Sequence, residues 1–391
     1  MLKNTFELWC MFEDYEKAEE KITSRRWCRK WLLLRDKLHH HTILSRNLVN
    51  EVRDFKTSLR MSPEVFEELL SMVDPLIRKK DTTFRKSISP RMRLMATLRI
   101  LITGNNYHQA EFESYISRQA LGEIFPETCD AIVQVLKLEV ALPERPEQWI
   151  QIADLFEEVW GMPHCLGVMD GMHVPIEKPH NSGSVFINYK KFFSIVLLAL
   201  VDADCRFIYC NIGANGSASD PAILQESSFW TALNRNELSL PPSRLRNGFD
   251  LPFVFIGDQA FSLRPDFLKP HRRQERTPAE AFFDKWLSRS RRTVENAFGQ
   301  LVARFELLKK PMRYELNTCK KVVLCTVHLH NFLKNRRTPP MPVPAPYINT
   351  QNLVQQNQNN AALLNEGKRV RARFMDYLTS RNQSYYNRHF N

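Results

Sequence analysis

Four acidic residues have the type and placement that phosphoryl chemistry needs. Asp170 ends an apolar run in VMDGMHVPI, and Asp258 ends another in FIGDQAF. Asp220 follows the small-residue loop GANGSASD and leads a helix-like segment, and Glu295 lies on a strongly periodic stretch beside Arg291 and Arg292. An acid that closes a buried strand projects from the carboxyl edge of a sheet, where α/β proteins place ligands. Carboxylates gathered there repel one another and take up protons unless a cation stands among them. Hard oxygen donors suit Mg²⁺ or Mn²⁺. Two such ions about 4 Å apart activate an attacking oxygen and hold a leaving one in phosphoryl transfer. Taken singly, each acid is also an ordinary strand-end or helix-capping residue.

The elements that would position these acids are legible as patterns. CLGVMD, FFSIVLLALV, RFIYCNIG and LPFVFIGD read as buried strands, three before a helical segment and one after it. Asp202 and Asp204 fall in the turn joining the second and third, where conversion to Asn should be nearly silent. Helical signal resumes at DPAILQESSFWTAL and again from Ser288 to Leu308, where Val294, Phe298, Leu301, Phe305 and Leu308 form one core-facing stripe. The first half of the chain reads as helices. Ser62-Pro63-Glu64 and Ser89-Pro90 are helix starts, and Gly104 is a helix end. NYHQAEFESYI followed by Ser117 and RQALGEIF has a helix-turn-helix layout, with Arg118 and Gln119 where a reading helix touches base edges. The same pattern fits three packed helices without groove contact. The fold class is α/β, preceded by an all-helical N-terminal region.

Composition narrows the classes further. The chain has 391 residues, 43% hydrophobic and 25% charged, which excludes collagen, a coiled-coil rod and a wholly disordered chain. The longest apolar run, Ile195–Val201, is far short of the ~20 residues of a membrane span. The opening MLKNTFELWCMFEDYEKAEE carries acids where a signal peptide keeps its apolar core. A soluble, non-secreted protein without a membrane partner is expected. Lys+Arg 55 against Asp+Glu 43 gives +12, which favours a polyanionic partner. The excess is clustered, with ten Lys/Arg against three acids over 25–60 and fifteen against seven over 264–321. Lys334–Arg337 and Lys368–Arg373 have the look of nuclear import signals. Eight cysteines form no CxxC pair or zinc array, so a reducing compartment without disulfides or structural zinc is expected. His39–His41 read as a solvated patch. His173 either touches a scissile phosphate or, on the preferred reading, is structural; His328 and His330 read as core or capping residues. Lys190, Lys191, Arg289, Arg291 and Arg292 flank the acidic blocks as DNA-phosphate contacts, or as local ion pairs. After Arg337 the chain turns Pro-rich and then Asn/Gln-rich, and AALLNEGKRVRARFMDYL reads as a loosely ordered tail rather than a docking helix.

Six blocks in order carry a resemblance. HCLGVMDGMHVPIEKP, NSGSVFINYKKFFSIVLLALVDADCRF, GSASDPAIL, VFIGDQAF, LSRSRRTVENAFGQLVARFELL and VHLHNFL resemble the DDE domain of PIF/Harbinger transposases and their host-domesticated nuclease relatives. The resemblance covers about residues 146–335, and more loosely the helices upstream. It implies a ribonuclease-H-like fold, two Mg²⁺ or Mn²⁺ ions, DNA strand cleavage and transfer, a nuclear location and a separate Myb-like DNA-binding partner. It leaves the choice between monomer and homo-oligomer open. The family's acidic positions fall on Asp170, Asp220, Asp258 and Glu295, with Asp258 and Glu295 separated by 37 positions. Asp170, Asp258 and Glu295 are chosen as the catalytic triad by strand position, with Asp220 as a further metal ligand. AFFDKWLSRSRR departs from the Asn-Tyr pair common in relatives, and the loop from Lys269 to Pro278 is unusually basic. The implied organisation is a basic helical segment at 1–60, a helical region at 61–145, the nuclease domain at 146–335 and a linker and tail at 336–391. The rival reading is a domesticated, non-cleaving DNA or chromatin adaptor that retains the fold.

Overall fold

The computed structural model describes residues 29, 31–32, 52–83, 86–272, 276–336, 360–383 and 386. The His39–His41 triple, Cys10, Cys28, most of the basic segment 25–60 and the Pro/Asn/Gln-rich stretch lie outside them. Before the sheet come α1 (Val52–Leu59), α2 (Pro63–Ile77), α3 (Pro90–Thr103), α4 (Tyr107–Ser114), α5 (Arg118–Val135) and α6 (Pro146–Trp160). Their ends follow the expected chemistry. The hydroxyls of Ser62, Ser89 and Ser117 accept from the backbone N–H groups of Val65, Met92 and Ala120. Gly104 takes a left-handed C-cap at φ +65° against the backbone of Leu307. The second helix of the expected short pair is not short, because α5 runs 18 residues.

The sheet is built from β1 (Cys165–Pro175), β2 (Ser194–Val201), β3 (Phe207–Asn215), β6 (Val254–Ile256) and β7 (Phe267–Leu268), in the order β3-β2-β1-β6-β7. The first three are antiparallel, and β6 and β7 run parallel to β1. Helices α7 (Asp220–Gln225) and α8 (Ser228–Asn234) and the small hairpin β4 (Arg244–Arg246)–β5 (Phe249–Leu251) lie between β3 and β6. The run SIVLLALV of β2 is buried throughout because both faces are covered. Ile195, Leu197, Ala199 and Val201 join one core, while Val196, Leu198 and Leu200 join a second with Trp149, Leu224 and Phe229. Asp170 does not end its strand. Its ladder with β2 continues through Pro175↔Ser194, whereas β6 stops pairing at Val168↔Ile256. The sheet therefore opens beside Asp170 on the β6 side only. The β2–β3 turn also differs from expectation. Asp202 is buried, and its Oδ1 accepts from the backbone of Asp204 and Arg206 while Oδ2 accepts from Arg206 Nε. Asp202 is thus a structural staple, and the expectation of a silent substitution does not fit it.

Helices α9 (Pro278–Arg304), α10 (Leu316–Asn335) and α11 (Asn360–Arg381) complete the described chain. Helix α9 starts ten residues before Ser288, where Thr277 and Glu280 form a capping box. Its stripe of Val294, Phe298, Leu301 and Phe305 is buried, as is Leu308 just beyond it. The tail reading fails over 360–381. Helix α11 buries Val370, Phe374, Tyr377 and Leu378 against α9, β5 and β7. Gly367 makes this possible, since an added Cβ would stand 2.9 Å from the Arg264 backbone. Phe374→Ala should destabilise the protein by about 3–5 kcal/mol, read as a lowered denaturant midpoint at constant m-value. A loss below about 1 kcal/mol would show that α11 does not dock in solution.

Candidate active site

Asp170 and Asp258 are neighbours by register. The last rung of the parallel β1–β6 pair is Val168↔Ile256, and each aspartate lies two residues further on. Side chains alternate along a strand, so Asp170 shares the face of Val168, while Asp258, two residues past the end of β6, lies near enough for its charge to raise Asp170. The Val168 face is the one α9 covers, and α9 brings Glu295 and, one turn earlier, Arg291. Arg291 Nη2 lies 3.4 Å from Asp170 Oδ2, while Asp170 Oδ1 accepts from the Gly171 N–H at 2.9 Å. Asp258 Oδ1 accepts from the Ala260 N–H at 2.9 Å. Asp220 comes from the other layer. It opens α7, whose Ile223 and Leu224 belong to the second core, and it reaches the acids over Gly171. An added Cβ on Gly171 would stand 2.2 Å from Asp220 Oδ1. Any larger residue at 171 would push the Asp220 carboxylate out of this position.

The electrostatics tie the four acids together. Burial pushes the Asp220 carboxyl up to about 6, the charges of Asp170 and Asp258 add to the rise, and a Gly171 backbone hydrogen bond opposes it. Asp170 is raised as well, first by burial; Arg291 and the Gly171 N–H pull it back, and Asp258 and Glu295 push it up again. Asp170 and Asp220, raised first by burial and then by neighbouring carboxylates, are donors that a hard divalent cation relieves. Among the described residues no three His, Cys, Asp or Glu side chains close around one point as they stand. Arg291 instead supplies the positive charge, and its Nε is buried without a hydrogen-bond partner among the described residues.

A family model described as DDE superfamily endonuclease matches residues 169–331, the span that contains all four acids. Over residues 169–331 the chain is similar to the DDE superfamily endonucleases. An ALP1-like protein of Arabidopsis thaliana is 24% identical over 297 residues, covering 72% of this chain and 70% of the relative. HARBI1 of Homo sapiens, a nuclease candidate by name, is 24% identical over 295 residues, covering 74% and 81%. An Arabidopsis thaliana protein named as an antagonist of like heterochromatin protein 1 is 22% identical over 287 residues, covering 71% and 72%. No solved structure matches. The Harbinger-type resemblance is borne out, and these relatives support a nuclease-type function for this region.

The remaining expected site residues take several positions. Lys190 and Lys191 are exposed on the turn before β2. Asn188 holds that turn, its Oδ1 accepting from the Lys190 and Phe192 N–H groups and its Nδ2 donating to Ser194 Oγ. His173 Nδ1 lies 3.0 Å from the same hydroxyl, so His173 supports the lysine turn, as the structural reading holds. Burial and Lys190 both lower its pKa. His328 and His330 sit in α10 against the carbonyls of Leu324 and Cys205. Arg292 is exposed on α9. Arg289 Nη2 donates to the Val159 carbonyl at the end of α6 at 3.4 Å. Arg118 and Gln119 are exposed at the start of α5, but Arg118 Nε is 3.3 Å from the buried Glu111. The six described cysteines are free thiols. No described helix is long and apolar enough to cross a membrane. Sequence reasoning missed two functional positions. Gly171 is signalled only by following Asp170. Asp284, in the departing AFFDKW block, is buried and accepts from His271 and Arg276, which anchors the basic loop to α9.

Asp220 titrates near 6 in the folded chain against a reference of 3.8. The folded state therefore holds this proton more tightly, and the group lowers stability as pH rises from about 4 to about 6. Without divalent ions, Asp220→Asn should raise the Tm at about pH 7.5 by the equivalent of about 1–2 kcal/mol, after solvent screening, and lose the gain near pH 4. A variant that melts below wild type at the higher pH would show that the carboxylate is held by favourable contacts instead.

Proposed function

We propose that this chain is a divalent-metal-dependent DNA endonuclease of Harbinger type. Its ribonuclease-H-like domain spans 146–335, behind a basic segment at 1–60 and a helical region at 61–145. The observation that carries the reading is the electrostatic coupling of four carboxylates from β1, the exit of β6 and two helices, where β6 ends beside β1. The strand order, an antiparallel meander joined to parallel strands, supports the fold assignment.

Asp170, Asp258 and Glu295 would hold Mg²⁺ or Mn²⁺, with Asp220 as a further ligand. When bound, the ion supplies charge neutralisation at the reacting phosphate and acidifies the attacking water. The chain's own groups do the rest. Asp170 is fixed by strand register, and the Oδ1 atoms of Asp170 and Asp258 are oriented by backbone N–H groups. Arg291 neutralises Asp170 in the resting site, and its under-bonded guanidinium is placed to turn to the scissile phosphate. Lys190, Lys191 and Arg292 contact flanking phosphates, and Arg118 and Gln119 face DNA from α5. Hydrolysis of the phosphodiester leaves a 3′-hydroxyl, which attacks target DNA where transfer occurs. A Myb-like partner supplies sequence recognition, and the protein works in the nucleus.

Two observations favour a second reading, a non-cleaving chromatin adaptor. Arg291 stands on Asp170, where a cation would bind, and one relative is named for antagonism of a heterochromatin protein. Nicking of a labelled duplex in Mn²⁺, with the partner present, separates the two. Glu295→Gln should still bind DNA but cut at least about 10²-fold more slowly, as loss of several kcal/mol of charge stabilisation requires. Asp170→Asn and Asp258→Asn should match it, and doubles should lose little more because the acids act as a unit. Asp204→Asn should cut as wild type does. Equal rates for wild type and Glu295→Gln would place the activity elsewhere and leave the adaptor.

A further inference from the structure

The basic loop after β7 starts level with the acids. The β6–β7 pair ends at Ile256↔Leu268, so continuing the register sets Pro270 opposite Asp258 on the next strand outward. Lys269 Nζ donates to the Gln259 carbonyl at 3.1 Å and also to that of Phe261, which ties the two strand exits together. Arg272, two residues past Pro270, is exposed. Helix α11 packs on β7 and brings Arg371 to the same place, one turn beyond the Gly367 contact with Arg264. Lys269 feels the charges of both Arg272 and Arg371.

Arg371 differs from the other arginines of α11. Arg369 and Arg373 pair with Glu366, Arg373 also with Asp250, and Arg381 with Glu157. Among the described residues no carboxylate lies within ion-pair distance of Arg371, although it is half-buried. The nearest acids are already engaged. Asp284 accepts from the His271 N–H, His271 Nδ1 and Arg276 Nη1 at 2.8–3.0 Å, and Glu280 accepts from the Thr277 N–H at 2.9 Å. A partly desolvated guanidinium without a partner is costly, and the planar fork suits a phosphate bidentately.

We propose that Arg371, with Arg272 beside the Lys269 staple, clamps a DNA phosphate flanking the one at the acids. The C-terminal helix is then part of the DNA-binding surface rather than an appendage. This rests on the nuclease reading for its ligand but not on cleavage.

The test is anisotropy of a labelled mixed-sequence duplex with the full chain in EDTA, where binding is read without cutting. Arg371→Ala should weaken binding on the order of tenfold and reduce the slope of log affinity against log salt by about 1. Arg371→Gln should do the same, and guards against a folding defect in the first variant. Arg373→Ala removes the same charge from the same helix at a paired position, and should bind within about twofold of wild type. If both Arg371 variants bind as wild type while Lys190→Ala weakens binding, the clamp is overturned and the nuclease reading stands. Equal losses in Arg371→Ala and Arg373→Ala would also overturn it, leaving only bulk charge. A wild type with no salt-sensitive duplex affinity would overturn the nuclease reading and the clamp together.

Discussion

An aspartate in β1 and another just past the end of the parallel strand β6 have to be held near each other against their mutual repulsion, and much of this region serves that constraint. Asp170 is fixed in mid-strand by the β2 ladder, so it cannot swing away when β6 ends. Asp258 is held by the Ala260 N–H of its own turn. Burial raises Asp170 and Asp220 further toward the neutral form. Arg291 offsets part of that repulsion by pairing with Asp170, carried on a 27-residue helix whose buried stripe fixes its rotation. A cation is the natural replacement for that guanidinium, since it offers the same charge to several oxygens at once.

The two-sided core explains how acids from separate layers reach one place. Alternate residues of β2 feed two hydrophobic clusters, so helices pack on both faces of the sheet. Glu295 and Arg291 come from the α9 side, and Asp220 comes from the other side. The sheet itself would separate them. Gly171 removes the obstruction at the one rung where Asp220 must approach.

Much of this was legible in the sequence. The four apolar runs mark β1, β2, β3 and β6, and most plainly β2 and β6, which are buried throughout and so read as unbroken apolar runs. Serine caps and Gly104 marked helix ends, since capping is local chemistry. Asp170 and Asp258 were visible as acids closing apolar runs, Asp220 as a helix-start residue and Glu295 as an acid on a periodic helix. What escaped was non-local. The docking of α11 depends on Gly367 meeting the Arg264 backbone, which no window of α11 shows. The two-residue β7 and the β4–β5 hairpin are too short for any periodicity. Asp170 was read as a strand end because an acid interrupts the apolar run, yet the ladder to β2 carries the strand five residues further. Asp202 falls in a turn by sequence, yet it is buried and accepts from three donors. Its partners Asp204 and Arg206 follow at spacings common to many open turns.

Divalent-ion binding at the acids is the most direct test of this account. Calorimetric titration of Mn²⁺ into metal-free protein at about pH 7.5 should give saturable binding and a matching rise in Tm, because an ion bound only by the folded state stabilises it. Asp170→Asn with Asp258→Asn should abolish both while the protein stays folded. Binding should also weaken as pH falls through about 6, where Asp220 takes up its proton. A folded wild type that binds no Mn²⁺, or a double variant that binds it unchanged, would contradict the account.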